Sequence, residues 1–288
     1  MGLLDPRRLR RMSSRLIACG SLLAMGAVGL GLEIPATDTH VVIAQSVSGM
    51  RPMQGDYSQI MLFPPSVSIR AQVTRRGAEP RKSTTGLTAT YRFVTNTHSS
   101  DKTNFWQYSQ ALLGVQPPPD VGLTGFGLSG TMARDSLHRG FAATSIPLMP
   151  FDDDGKESTY QIAHITVRNS SGVVIAETET SVPVSSELNC VLCHDFSDDS
   201  VAAQVIEAHD RRDGTHLAGT GPVNCTSCHA DASVGAPGQP GVSSLSKAMH
   251  GAHATRMPFT DLENNCYACH PGVRTTALEP IRNPRNRW

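Results

Sequence analysis

Residues 161–182 read QIAHITVRNSSGVVIAETETSV. Gln161 to Arg168 alternates polar with apolar side chains, and Val173 to Val182 flanks it across Asn169-Ser170-Ser171-Gly172. Alternation with a period of two lines one face of a strand with apolar groups, while Asn, Ser and Gly accept the tight backbone of a turn. The stretch therefore predicts an antiparallel hairpin. Working outward, Ser66 to Val73 alternates in the same way, and so does Gly86 to Val94 through Leu87, Ala89, Tyr91 and Phe93. Asn104 to Leu113 reads as a short helix stopped by Gly114 and the Pro117-Pro118-Pro119 run. Residues 48–184 are thus expected to form a mainly β N-terminal domain, an immunoglobulin-like sandwich. Within it, Asp152-Asp153-Asp154-Gly155 offers carboxylates to calcium but lacks the alternating ligands and closing Glu of a calcium loop, so a turn between strands is the better reading.

From residue 185 onward the alternation stops and the cysteines begin. The chain has seven Cys, and six of them form three C-x-x-C pairs: Cys190/Cys193, Cys225/Cys228 and Cys266/Cys269. Each pair is followed at once by a histidine: His194, His229 and His270. C-x-x-C-H is the attachment signature of haem c. Two thiols add across the two vinyl groups of one porphyrin and must sit a short fixed span apart. The next residue then reaches the iron, for which imidazole is a good axial ligand. Zinc ribbons also use C-x-x-C, but they spend two pairs per metal, so three pairs leave one over. Disulfides suit exported chains, yet they give no reason for the histidine. With 11 His in 288 residues, a histidine after all three pairs is a coincidence on the order of one in ten thousand against average composition. Three covalently bound haem c groups are expected.

Residues 185–273 accordingly read as a small multihaem domain of helices and loops, in which the haems supply most of the buried apolar surface. Val201 to His209, preceded by Asp198-Asp199-Ser200, predicts one helix. Ser244 to Thr255, with Leu245, Met249 and Ala252 on helical spacing, predicts another. Ala230 to Val242 is rich in Gly and Pro and predicts a loop. Four further histidines, His209, His216, His250 and His253, are available to complete three irons. His250 and His253 stand three apart on one helix face. One helix does not sit on both sides of a macrocycle, so the two would cap different haems. His209 is the choice for the third, with His216 in reserve. Met249 and Met257 are the alternative ligands, and a Met/His pair would raise the potential. His164 reads as a strand residue that packs or faces solvent.

The ends of the chain carry separate signals. Arg7, Arg8, Arg10, Arg11 and Arg15 precede the apolar run Leu16 to Leu32, and Ala36 and Ala44 offer cleavage positions. Residues 1–44 therefore read as a secretory signal, or as an N-terminal anchor if uncleaved. Most of the apolar run follows Cys19 instead of preceding it, which argues against lipidation there. Haem c is attached to an unfolded chain after export, so the general secretory route fits better than the twin-arginine one. Residues 274–288 form a basic tail. The formal net charge of zero gives no whole-chain basic field for nucleic acid.

The haem segment also resembles a known group. Ala208-His209-Asp210, Gly214-Thr215, Pro222-Val223-Asn224-Cys225-Thr226-Ser227-Cys228-His229-Ala230 and Ala248-Met249-His250-Gly251-Ala252-His253 are similar to the haem region of exported bacterial multihaem c-type cytochromes. A paired-histidine helix ahead of C-x-x-C-H resembles the outer-surface cytochromes of metal-reducing bacteria. Residues 147–187 are similar to the strand region that precedes the first haem in such proteins. The resemblance implies bis-histidine haems and electron transfer, with His209, His250 and His253 matching the recurrent histidines. Met50 to Pro65 lacks the Cys and His of longer members, so the chain reads as a shortened relative.

The expected function is electron transfer as a carrier or relay, periplasmic or at the cell surface, with membrane contact only if the N-terminal segment is retained. Asp and Glu outnumber Lys and Arg in the haem segment, which favours basic redox partners. Two other readings compete. A multihaem reductase needs one haem with an open site, and four spare histidines argue against that. A structural β-module would use its haems for assembly, including self-assembly into a conducting filament.

Overall fold

The computed structural model describes residues 39–186, 190, 193–194, 197–232 and 234–256. The signal segment, the third attachment motif at Cys266, Cys269 and His270, Met257 and the basic tail lie outside the described residues. In chain order the elements are β1 (His40–Ser46), β2 (Arg51–Pro52), β3 (Ile60–Met61), β4 (Val67–Arg75), β5 (Arg81–Lys82), β6 (Thr88–Phe93) and α1 (Phe105–Leu113). They continue with β7 (Ser129–Thr131), β8 (Ala133–Asp135), β9 (Gly140–Ile146), β10 (Tyr160–Arg168), β11 (Val174–Ser185), α2 (Val201–Asp213), β12 (Val223–Asn224) and α3 (Leu245–His253). The described chain is mainly β with three α-helices.

The hairpin of residues 161–182 is present as β10 and β11, antiparallel, with Ile165 opposite Thr178. Its turn closes as expected. Asn169 Oδ1 accepts from the N–H groups of Ser171 and Val173 at 3.0 Å each, and Gly172 takes a φ of 79°, which its missing Cβ permits. One five-stranded sheet runs β1-β4-β9-β8 with β5 beside β4, and the other runs β2-β11-β10-β6-β7. Their apolar faces meet in one core. The first sheet contributes Val67, Ile69, Ala71, Val73, Phe141 and Ile146; the second contributes Ala89, Tyr91, Phe93, Ala163, Ile165 and Val167. In β4 and β6 every second residue is buried, as a strand with one solvated face requires.

Two boundaries differ from those expected. The β-rich body begins at His40 and not near Ser48, because β1 pairs along its whole length with β4, from His40–Arg75 to Ser46–Ile69. A cut after Ala44 would remove most of β1, whereas a cut after Ala36 would leave it whole. Second, the described parts of segments 48–184 and 185–273 pack against each other. The Met50 to Pro65 stretch joins them: β3 pairs in parallel with β12, through Ile60–Val223 and Met61–Asn224. Ile60, Leu62 and Ile206 form a shared apolar cluster, with Phe63, Val205, Val223, Cys190 and Cys225 packed against it. Sequence periodicity reports on one element at a time and carries no sign of this cross-packing.

The acidic turn is tied down by protein donors. Lys102 Nζ donates to Asp153 Oδ1 at 2.8 Å, Thr97 donates to Asp153 through both N–H and Oγ1, and Thr95 Oγ1 donates to Asp152 at 2.9 Å. Partial burial alone would raise the Asp153 carboxyl, but the Lys102 and Thr97 hydrogen bonds and the Lys102 charge outweigh it and hold the pKa at about 2. A carboxyl depressed from about 3.9 stabilises the fold above that value and loses its contribution as pH falls toward the folded value. Thermal stability is therefore expected to fall between roughly pH 4 and pH 2, and Lys102→Met is expected to flatten that slope. An unchanged slope in Lys102→Met would remove this pair from the acid-sensitive groups.

Candidate functional site

The two described C-x-x-C-H segments fold the same way. In the first, the N–H groups of Cys193 and His194 both donate to Cys190 O, at 3.1 and 2.9 Å. In the second, those of Cys228 and His229 both donate to Cys225 O, at 3.3 and 3.0 Å. Each motif is thus one tight turn. Asn224 starts the second turn: its Oδ1 accepts from Thr226 N–H at 3.0 Å, while its Nδ2 donates to Leu112 O of α1 at 3.1 Å. The four described cysteines are unbridged. Burial of the Cys225 thiol pushes its pKa up to about 12, so it is protonated at neutral pH and lacks the thiolate of a redox-active pair.

Both predicted helices carry their histidines, and Ser residues start both. Ser200 Oγ accepts from Ala203 N–H at 3.1 Å and Ser244 Oγ from Lys247 N–H at 3.3 Å. Helix α2 runs a turn past His209 to Asp213 before Gly214 ends it with a φ of 68°. That extra turn lets the chain fold back so that residues 215–218 lie against Asp210.

The helices bring the histidines together in two pairs. The rings of His194 and His253 have centroids 6.4 Å apart with planes at 75°. Those of His209 and His229 are 6.1 Å apart at 78°. Two imidazoles bound at about 2.0–2.1 Å to opposite sides of one metal hold their ring centres roughly 6 Å apart. The residues present therefore fit an iron between each pair. The nitrogens agree with that fit. Nδ1 lies 2.7 Å from Ser243 O in His229, from Ser246 O in His250 and from Met249 O in His253. A carbonyl only accepts, so Nδ1 carries the proton and Nε2 keeps a lone pair for a metal. Burial is the main cause that lowers the His194 pKa.

His250 and His253 do share a helix, and only His253 meets a proximal histidine of the described residues. His250 is exposed, and the third motif histidine, His270, lies outside the described residues. His216 is exposed and belongs to neither pair. The outlying histidines face carboxylates or a neighbouring hydroxyl. His164 lies 3.0 Å from Glu179, His138 2.8 Å from Asp135, His98 3.1 Å from Asp101, and His40 2.9 Å from Thr39 Oγ1. Among the described residues, no group of three or more His, Cys, Asp or Glu side chains is placed to hold a metal ion, and no helix is long and apolar enough to cross a membrane.

Sequence reasoning missed the wall behind the motifs. Arg51 is buried, with its guanidinium 5.1 Å from the centre of the Phe63 ring. Burial lowers its pKa, opposed by the charge of Asp231, two residues after His229. Ser200 Oγ donates to Gln59 Oε1 at 2.6 Å, and Val223 N–H donates to Gln59 O at 2.8 Å. No local pattern marks Gln59, because its partners Ser200 and Val223 lie more than a hundred residues away. No protein-family model matches the chain, and no curated protein matches it.

Proposed function

We propose that the protein is an exported multihaem c-type cytochrome that transfers electrons as a carrier or relay between redox partners. The observation that carries this reading is the two imidazole pairs with centroids 6.4 and 6.1 Å apart, each made of a C-x-x-C-H histidine and a histidine from a different element. Cys190 and Cys193 would hold the first haem with His194 and His253 as axial ligands. Cys225 and Cys228 would hold the second with His229 and His209. Cys266 and Cys269 would hold the third with His270, leaving His250 as its other ligand by elimination. When bound, such haems supply one-electron chemistry at an iron whose six positions are filled.

The chain's own part is to keep the ligands in place. The Nδ1–carbonyl bonds of His229, His250 and His253 orient the rings and hold the Nε2 lone pair ready. The cluster of Ile60, Leu62 and Ile206 excludes water behind Cys190 and Cys225. The two-sheet body, proposed as an immunoglobulin-like sandwich, supplies a rigid support and a docking surface for partners. The excess of acidic residues in the haem segment favours partners with basic surfaces. The N-terminal segment, cleaved after Ala36, would serve as the export signal and place the protein in the periplasm or at the cell surface.

The test is intact mass and spectroscopy of the full chain made in a host with a working haem-attachment system. Three added haems and low-spin spectra in both redox states are expected, without ready carbon monoxide binding in the reduced state. A mature chain with no added tetrapyrrole would overturn the reading. A high-spin fraction near one third would favour a reductase with one open site.

A further inference from the structure

His209 differs from the other described helix histidines in what holds its Nδ1. His250 and His253 each donate to the carbonyl one turn back in their own helix. His209 Nδ1 instead lies 2.9 Å from Thr215 Oγ1, and Thr215 Oγ1 lies 2.6 Å from Asp210 Oδ1. An ionised carboxylate only accepts, so the Thr215 hydroxyl proton points to Asp210, and its oxygen is left to accept from His209 Nδ1–H. Asp210 is locked in turn by the N–H groups of Leu217 and Ala218, at 2.9 Å. The direction of the whole chain is therefore set, from imidazole to hydroxyl to carboxylate. Among the described residues Asp213 also approaches the ring, with its oxygen 3.8 Å from Nε2, beyond hydrogen-bond range.

We propose that Thr215 and Asp210 are positioning residues that hold His209 as an Nε2 ligand and lower the potential of its haem. This rests on the haem reading above. A histidine whose Nδ1–H is drawn toward a carboxylate is a more basic ligand than one bonded to a neutral carbonyl. A more basic ligand favours the ferric over the ferrous state. His253 Nδ1 meets a neutral carbonyl instead, so this contribution would act on the haem at Cys225 and Cys228 and not through His253.

The experiment is a potentiometric titration of the full holoprotein with its ferric EPR spectrum, comparing Thr215→Val with Thr215→Ser. Thr215→Val deletes the relay hydroxyl but keeps the size of the side chain and the Leu217 and Ala218 bonds to Asp210. It is expected to move one of the three midpoints upward and to alter one ferric signal, with the other two unchanged. Thr215→Ser is expected to restore both. Three bound low-spin haems with all midpoints and signals unmoved in Thr215→Val would overturn the relay and leave the cytochrome reading standing. A shift that Thr215→Ser fails to restore would also overturn it, because the cause would then be packing. Absence of haem from the unmodified protein would overturn both.

Discussion

Replacing His253 with Ala is expected to open one axial position on the haem held by Cys190 and Cys193, and on no other. About one third of the haem would become high-spin and able to bind carbon monoxide when reduced, since one iron in three loses an imidazole. The basis is the 6.4 Å separation of the His194 and His253 rings. The pairing, as opposed to the count, is tested in a background that lacks the first attachment site, Cys190→Ala with Cys193→Ala. There His253→Ala is expected to be spectroscopically silent. His209→Ala and His250→Ala would each still turn one of the two remaining haems high-spin. A new high-spin species from His253→Ala in that background would show that His253 serves another iron. His253→Met separates ligand loss from disrupted maturation, because a Met/His pair stays six-coordinate and raises the potential. The near-perpendicular planes, 75° and 78°, add a signature. Crossed imidazoles leave two iron d orbitals close in energy, so the ferric signals of both haems should be strongly anisotropic.

Ile206→Ala is expected to cost about 2–5 kcal/mol, the range for truncating a buried aliphatic side chain. Ile206 is 7 % exposed and packs with Ile60 and Leu62, one turn before His209 on α2. The loss should be felt on both sides of the β3–β12 pairing. Thermal unfolding followed at the haem absorbance and by the circular dichroism of the sheets should shift as one transition. Ile43→Ala is the control: Ile43 is 62 % exposed on β1, so its truncation should stay within about 0.5 kcal/mol. Two separate transitions, with only the haem signal moved by Ile206→Ala, would mean that the C-terminal segment folds independently of the sheets.

Much of the local structure could be read directly from the residues. The β10–β11 hairpin, β4 and β6 follow from period-two alternation, and Asn169 and Gly172 mark the turn. The three helices appear where Gly114, Ser200 and Ser244 predict their ends. The starting point of the sheets could not be read in this way. Val41, Val42 and Ile43 suit a strand as well as they suit the end of an export signal, and only their pairing with β4 decides between the two. The role of Met50 to Pro65 was equally hidden. Its Gln59, Ile60 and Leu62 matter through residues 200, 206 and 223, a separation no periodicity records.

The candidate site divides along the same line. Which side chains are eligible is a matter of covalent chemistry, and C-x-x-C-H with its spare histidines states it in the chain itself. That His250 and His253 would not cap the same iron is an expectation from helix geometry alone. Which histidine faces which motif, and which ring is backed by a carboxylate, depends on how α2 and α3 lie against the two attachment turns. Those placements come from the packing of Ile206 and Val205 on Ile60 and Leu62, and from a backbone reversal after Gly214 that sets Thr215 against Asp210. Local sequence determines which groups can bind, because reactivity and helix phase are short-range properties. Partnership was decided by the tertiary structure, because it rests on contacts between segments that the chain brings together only on folding.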